Sequence, residues 1–190
     1  ADRDMQRRLR GLVEQVAGVE GLAFLGWREV PVNDSAIGQK ARAERPAIFQ
    51  CFVASGRPDQ ASLERKLYIL RKLVSRKAAE LTGAEDGFYA VSMSCRTVVY
   101  KGMMMGGELA AFYPDLADPA FSSAVAVVHQ RYSTNTFPSW KLAQPFRYLA
   151  HNGEINTLRG NINQMRSREQ FLASPLFGPD IGKLLPVIEP

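Results

Sequence analysis

Arg131, Ser133, Thr134, Thr136, Gln144, His151, Asn152, Gly153, Glu154 and Asn156 fall in one window, VVHQRYSTNTFPSWKLAQPFRYLAHNGEINTLRG, between Val127 and Gly160. Apolar runs flank these groups and can anchor them. The Arg131 guanidinium is a fork of donors suited to holding a carboxylate bidentately, and an ion pair with an acid elsewhere uses the same geometry. Ser133, Thr134 and Thr136 can donate to that ligand or satisfy the loop backbone. Asn152-Gly153 is the commonest two-residue hairpin turn, yet a helical pattern follows it here and no strand returns. At a strand-to-helix junction, the Asn amide and the Gly N–H can aim at one point, as in an oxyanion hole. Glycine lets the backbone approach a ligand there without a Cβ in the way. Glu154 suits the positive end of the following helix; His151 can serve as a base or as a structural hydrogen-bonding group. A carboxylate clamp and an oxyanion hole together suggest acyl chemistry on an amino acid, which requires a nucleophile. Cys51 and Cys95 both stand in apolar company, and spacing assigns neither a histidine. They read as buried structural thiols, so the attacking atom comes from elsewhere.

The elements that must position this window follow from periodicity. Met5, Leu9, Leu12, Val13 and Val16 predict an amphipathic helix over about 2–17, stopped by Gly18 and Gly21. Leu22 to Val32 and Pro46 to Ala54 read as strands, with Asn33-Asp34-Ser35 as a turn or helix cap. Asp59 is placed to cap a long helix striped by Leu63, Leu67, Leu70, Val74 and Leu81 and ended by Gly83. Phe88 to Ser94 and Thr97 to Lys101 are joined too closely for a crossover helix and are expected to pair as an antiparallel hairpin. A short helix over about Gly107 to Tyr113 is halted by Pro114. Ser122 to Tyr132, with its Ala-Val-Ala-Val-Val run, is expected to be the most buried strand. Phe146 to His151 reads as another strand, and from Glu154 a final helix carries Ile155, Leu158, Ile162, Met165 and Leu172, with Gly160 weakening its middle. Beyond Ser174, Pro175, Pro179, Pro186 and Pro190 predict an extended tail. Strands in adjacent groups with helices between them give an α+β class with mainly antiparallel pairing in one domain, an incomplete one.

Composition narrows the classes. With 190 residues and 46% hydrophobic content the chain can bury a sizeable core. No run approaches the roughly 18 to 20 apolar residues of a membrane span, and ADRDMQRRLR lacks the apolar stretch of a secretory signal. Two cysteines and two histidines, all isolated, offer no disulfide framework and no metal cluster, which suits a reducing cytoplasm. The net charge of +5 permits a nucleic-acid partner. The basic residues are dispersed over helices such as Arg65 to Lys77, where a solvated face is expected.

HQRYSTNTFPSW, AQPF and HNGEIN, in this order and spacing, resemble the glutaminase domain of the class II glutamine amidotransferases. Phe-Pro-Ser-Trp after RYSTNT, with YKGMM and FYPDL upstream, narrows the resemblance to the glutamate synthase large-subunit group. It covers about residue 20 to the end. RYST and HNG together are specific, where either alone is weak. The resemblance implies an N-terminal-nucleophile hydrolase fold, a four-layer αββα sandwich with mainly antiparallel sheets. It implies a cysteine at the mature N-terminus, whose own α-amino group is the general base. Arg131 then corresponds to the clamp on the substrate α-carboxylate, Thr134 to the segment lining the substrate, and Asn152 and Gly153 to the oxyanion hole. Ala1 stands where that cysteine is expected, and an acidic partner for the substrate amino group would lie beyond Pro190. Residues 1–190 therefore read as a partial domain, lacking the nucleophile segment and the C-terminal part and inactive alone.

For the whole enzyme the resemblance implies L-glutamine as substrate and ammonia delivered to 2-oxoglutarate to make L-glutamate. FMN and an iron–sulfur cluster would sit in other domains, with the rest of the polypeptide and a small subunit as partners. A fold kept as a non-catalytic regulatory domain is the alternative, and a basic nucleic-acid-binding module a more distant one.

Overall fold

Two capped amphipathic helices and the sheet they cover form the first part of the chain. The computed structural model describes residues 2–56, 59–83, 87–134, 136–146, 149 and 157–188. The Asp2 carboxylate accepts from the Asp4 N–H at 2.9 Å and starts α1, Arg3–Val19, which buries Leu9, Val13, Val16 and Ala17. The expected Asp59 cap is present at the start of α3, Gln60–Thr82, accepting from Ala61 N and Ser62 N at 3.1 and 2.9 Å. Gly83 ends α3 at φ 65°, a left-handed conformation that a Cβ would penalise. Between the helices, β1 (Ala23–Glu29) pairs antiparallel with β2 (Phe49–Ala54), Trp27 opposite Cys51 and Glu29 opposite Phe49. The register shifts between Phe24 and Gly26, where Gly26 has φ 153°.

One sheet face meets the helices. Leu67, Leu70 and Val74 of α3 and Val13, Val16 and Ala17 of α1 form a buried cluster against Trp27, Cys51 and Val53. Each fully buried Leu or Val there contributes on the order of 1.5–3 kcal/mol. Trp27 Nε1 donates to Glu14 at 2.6 Å, and Arg10 lies 4.6 Å over the Phe49 ring, tying α1 to that face. On the other face Arg28 donates to Gln50 and, through both terminal nitrogens, to Asp115 at 2.8 and 2.6 Å.

A second core lies beyond the end of the sheet. Val30, Ile37, Phe112, Tyr113 and Trp140 are buried together with Ala41 of a short helix, α2 (Gln39–Ala43), that periodicity did not reveal. Asn33 caps a 3-10 turn at Asp34–Ala36, as its place in the sequence suggested. The short helix expected near Gly107 is a 3-10 turn at Gly106–Glu108 running into α4, Leu109–Phe112, after which Pro114 opens another 3-10 turn.

Four expected strands are corrected. Residues 88–94 and 97–101 form no ladder; Ser94 Oγ accepts from Arg96 N and Thr97 N, and Glu64 accepts from Ser94 Oγ and Cys95 N. Side chains have taken over the bonding that a strand pair would supply. The run over 122–132 is neither strand nor buried: Val125, Val127 and Val128 are 75%, 55% and 68% exposed. Its pattern is that of a covered strand, and no covering strand lies among the described residues. Leu149 N donates to Phe146 O at 2.9 Å, a bond between near neighbours that a continuous strand does not make. Residues 147, 148, 150 and 151 lie outside the described residues.

The final helix, α5, spans Leu158–Glu169, so Gly160 falls in its first turn; Glu154 and Ile155 lie outside the described residues. The tail is extended only in part. Gly178–Leu184 forms a 3-10 helix whose Lys183 Nζ bonds both oxygens of the buried Glu20 carboxylate, at 2.8 and 2.9 Å. Beyond it, Lys72 donates to Pro186 O and Val187 O, and Arg76 to Leu185 O. Arg71 and Lys72 are 4% and 6% exposed, which corrects the expectation of a purely solvated basic face on α3. The mixed helix and antiparallel-sheet class stands. Among the described residues no helix is long and apolar enough to cross a membrane.

Candidate functional site

The polar window begins on an irregular segment. Arg131 is exposed, its N–H donating to His129 Nδ1 at 3.2 Å, and among the described residues no carboxylate pairs with its guanidinium. Thr134 is exposed in a turn closed by Thr136 N donating to Ser133 O at 3.0 Å. Two residues separate Arg131 from Thr134, and the structure places the pair on the same arm. Asn152 and Gly153, with His151, Glu154 and Asn156, lie outside the described residues.

The arm is closed on itself and then tied to the core. Tyr132 OH donates to Ser139 O at 2.8 Å, and Leu142 N to Ser139 Oγ at 3.3 Å. Trp140, 5% exposed, sends Nε1–H to Ala41 O at 3.0 Å and packs 5.6 Å from the Phe112 ring. A Cβ on Gly102 would come within 2.5 Å of the Trp140 ring, so glycine there gives the indole its place. Lys101, 8% exposed, points Nζ at Lys141 O and Ala143 O, both at 2.8 Å, and lies 4.5 Å over the Phe146 ring. Tyr113 OH donates to the Lys101 carbonyl at 2.8 Å. Burial pushes the Tyr89 hydroxyl up to about 12 and raises that of Tyr113, so both stay protonated and can donate.

Neither Lys101 nor Trp140 was singled out for this work by sequence. The available signal was a lysine closing the apolar run TVVY and followed at once by glycine, a pattern that fits a buried cation beside a close approach.

The cysteines are not activated. Cys51 is half-buried on the helix-facing side of β2, and burial raises its thiol. Cys95 is exposed, which corrects the expectation that it is buried. The Glu64 carboxylate, bonded to its S–H, raises it as well. A raised thiol is a poor nucleophile at neutral pH. Among the described residues no group of His, Cys, Asp and Glu could hold a metal ion. Where the arm meets the core, a cavity of about 440 Å³ opens between α3 and residues 88–91, lined also by Lys101, Lys141, Phe146 and Pro186.

The described residues thus show a guanidinium on a polar arm that a buried lysine and tryptophan pin to the core. Comparison with known proteins gives the class. The model of the family described as "Glutamine amidotransferases class-II" matches residues 1–190, and the chain belongs to that family. Within it, the chain is similar to glutamate synthases. It is 50% identical over 188 residues to the "Glutamate synthase [NADPH] large chain" of Bacillus subtilis, covering 97% of this chain and 12% of that protein. It is 47% identical over 186 residues to the protein of the same description from Azospirillum brasilense, with the same two coverages. It is also 47% identical over 177 residues to the chloroplastic "Ferredoxin-dependent glutamate synthase" of Oryza sativa subsp. japonica, covering 93% of this chain and 11% of that protein. The chain thus spans about an eighth of the length of these relatives.

Proposed function

We propose that residues 1–190 are part of the glutaminase domain of a glutamate synthase, in which Arg131 and Thr134 hold L-glutamine and Asn152 and Gly153 stabilise the reacting oxyanion. The observation that carries this reading is the family match over the whole chain together with about 50% identity to a glutamate synthase large chain. Arg131 is exposed, as a clamp open to a ligand would be. In this reading the attacking cysteine belongs to another part of the polypeptide, as the family resemblance implies. In the wider family fold that cysteine is N-terminal and the sheets stack as a four-layer sandwich.

The chemistry then runs in two halves. A thiolate attacks the side-chain amide carbon of glutamine, the C–N bond breaks, and ammonia leaves with the proton passed by the α-amino base. Water then splits the thioester, releasing glutamate and regenerating the thiol. The negative oxygen formed at each addition is where the Asn152 amide and the Gly153 N–H donate. Arg131 holds the α-carboxylate, which stays unchanged through both halves and so contributes mainly to binding.

In the whole polypeptide the ammonia would pass to 2-oxoglutarate. An iron–sulfur cluster would be held by other parts of that polypeptide, because Cys51 in β2 and Cys95 on a separate segment are too few thiolates for one, and FMN would be held there too, as the resemblance implies. A small subunit would be a further partner.

The test uses the whole polypeptide. Asn152→Ala is expected to lower glutaminase kcat by about 10²- to 10³-fold, the usual cost of one lost oxyanion donor. Arg131→Ala is expected to raise KM for glutamine with a smaller change in kcat. An unchanged kcat for the first would make Asn152 a turn residue. An unchanged KM with lower thermal stability for the second would restore the ion-pair role.

A further inference from the structure

We infer that the cavity between α3 and residues 88–91 is a binding site for a small carboxylate with an apolar, ring-sized body. The inference stands on the cavity and does not depend on the roles proposed for Arg131 and Thr134, neither of which lines it. Its volume of about 440 Å³ falls within the roughly 300–1,000 Å³ typical of small-molecule pockets.

The lining combines two kinds of surface. Phe88, Tyr89 and Phe146 supply rings and Val91, Pro186 and Ile188 aliphatic surface, so an apolar body placed there leaves water. Arg71, Lys72, Arg76, Lys101 and Lys141 supply positive charge, and Glu80 is the one carboxylate among the described lining residues. Arg71, Lys72 and Lys101 are buried. Backbone carbonyls fix three of the cationic heads. Lys72 Nζ donates to Pro186 O and Val187 O at 2.8 and 3.1 Å, Arg76 to Leu185 O at 2.8 Å, and Lys101 Nζ to Lys141 O and Ala143 O at 2.8 Å each. Such bonds hold a cation in place without cancelling its charge, so its attraction for an anion is preorganised. In a recess walled by rings and aliphatic groups, that attraction is screened less than on open surface.

The class of ligand follows from the remaining polar lining, which among the described residues is Ser75, Tyr89 and Glu80. That set suits one negative group on an apolar body. The ammonium and amide of glutamine, or the edge of a nucleobase, would find few partners there.

The experiment titrates the whole polypeptide with 2-naphthoate and, separately, with neutral 2-naphthamide, by calorimetry at low and at moderate salt. The expected result is saturable binding of the acid, at least about tenfold tighter than the amide and weaker at the higher salt. Arg76 and Glu80 are both exposed and stand one helical turn apart, so reversing either charge leaves the buried core untouched. Arg76→Glu should weaken binding and Glu80→Lys should tighten it, each by about threefold or more at low salt. General destabilisation does not produce those opposite signs. Ala79→Phe, which places a ring in the cavity, should abolish binding; if that variant does not fold, the two charge reversals carry the test. No saturable binding, equal affinity for acid and amide, or an affinity indifferent to both charge reversals overturns the inference.

Discussion

Arg28 and Asp115 join β1 to the FYPDL turn across 87 residues of chain, with Gln50 and Tyr100 completing the network. The Arg28 hydrogen bond holds the Asp115 carboxyl below its ordinary range, burial opposes this, and the Tyr100 hydroxyl adds to the depression. The same pairing raises the already basic Arg28, so only the carboxylate titrates in an accessible range. A depressed carboxylate favours the folded state fully above its unfolded value of about 3.9, and the contribution fades as pH falls through the lower folded value. Asp115→Asn should therefore be less stable than wild type at neutral pH, with the gap shrinking below about pH 4. Urea melts at neutral and acid pH would show it, and a gap of constant size would mean that packing, not charge, is at stake. Nothing local in the sequence marks this pair. Asp59, by contrast, was legible as a cap because its partners are two and three residues away.

At the scale of elements, α1 and α3 carry their own instructions: a capping carboxylate, an apolar stripe at helical spacing and a glycine stop. Asp59→Ala should cost the fold about 1 kcal/mol, since two N–H groups of the first turn lose their acceptor. A shift in denaturation midpoint with unchanged slope would register it; no shift would mean that water replaces the cap. The pair expected over 88–94 and 97–101 failed for a related reason. Its serines and the distant Glu64 offer the backbone bonds that compete with a ladder, and alternation counts apolar residues without weighing those acceptors.

For the molecule as a whole, the apolar surface is telling. Phe137 is 94% exposed, and Val125, Val127 and Val128 are more than half exposed. Exposed apolar groups gathered in this way are a feature of interaction surfaces. In the whole polypeptide, amides over 125–128 should exchange far more slowly with deuterium than in the isolated 190 residues. Equal rates in both would show that the run is native surface.

The sequence by itself determined the helices α1 and α3, the Asp59 cap, the strands β1 and β2, and the family, because each depends on residues near one another or on a motif read in order. It also named Arg131, Thr134, Asn152 and Gly153 as candidates by chemical type. Only the tertiary structure decided that Arg71 and Lys72 are buried, that Cys95 is exposed, and that Lys101 and Trp140 pin the arm that carries Arg131. Those outcomes depend on which distant carbonyl or ring a side chain meets, and chain spacing carries no record of that.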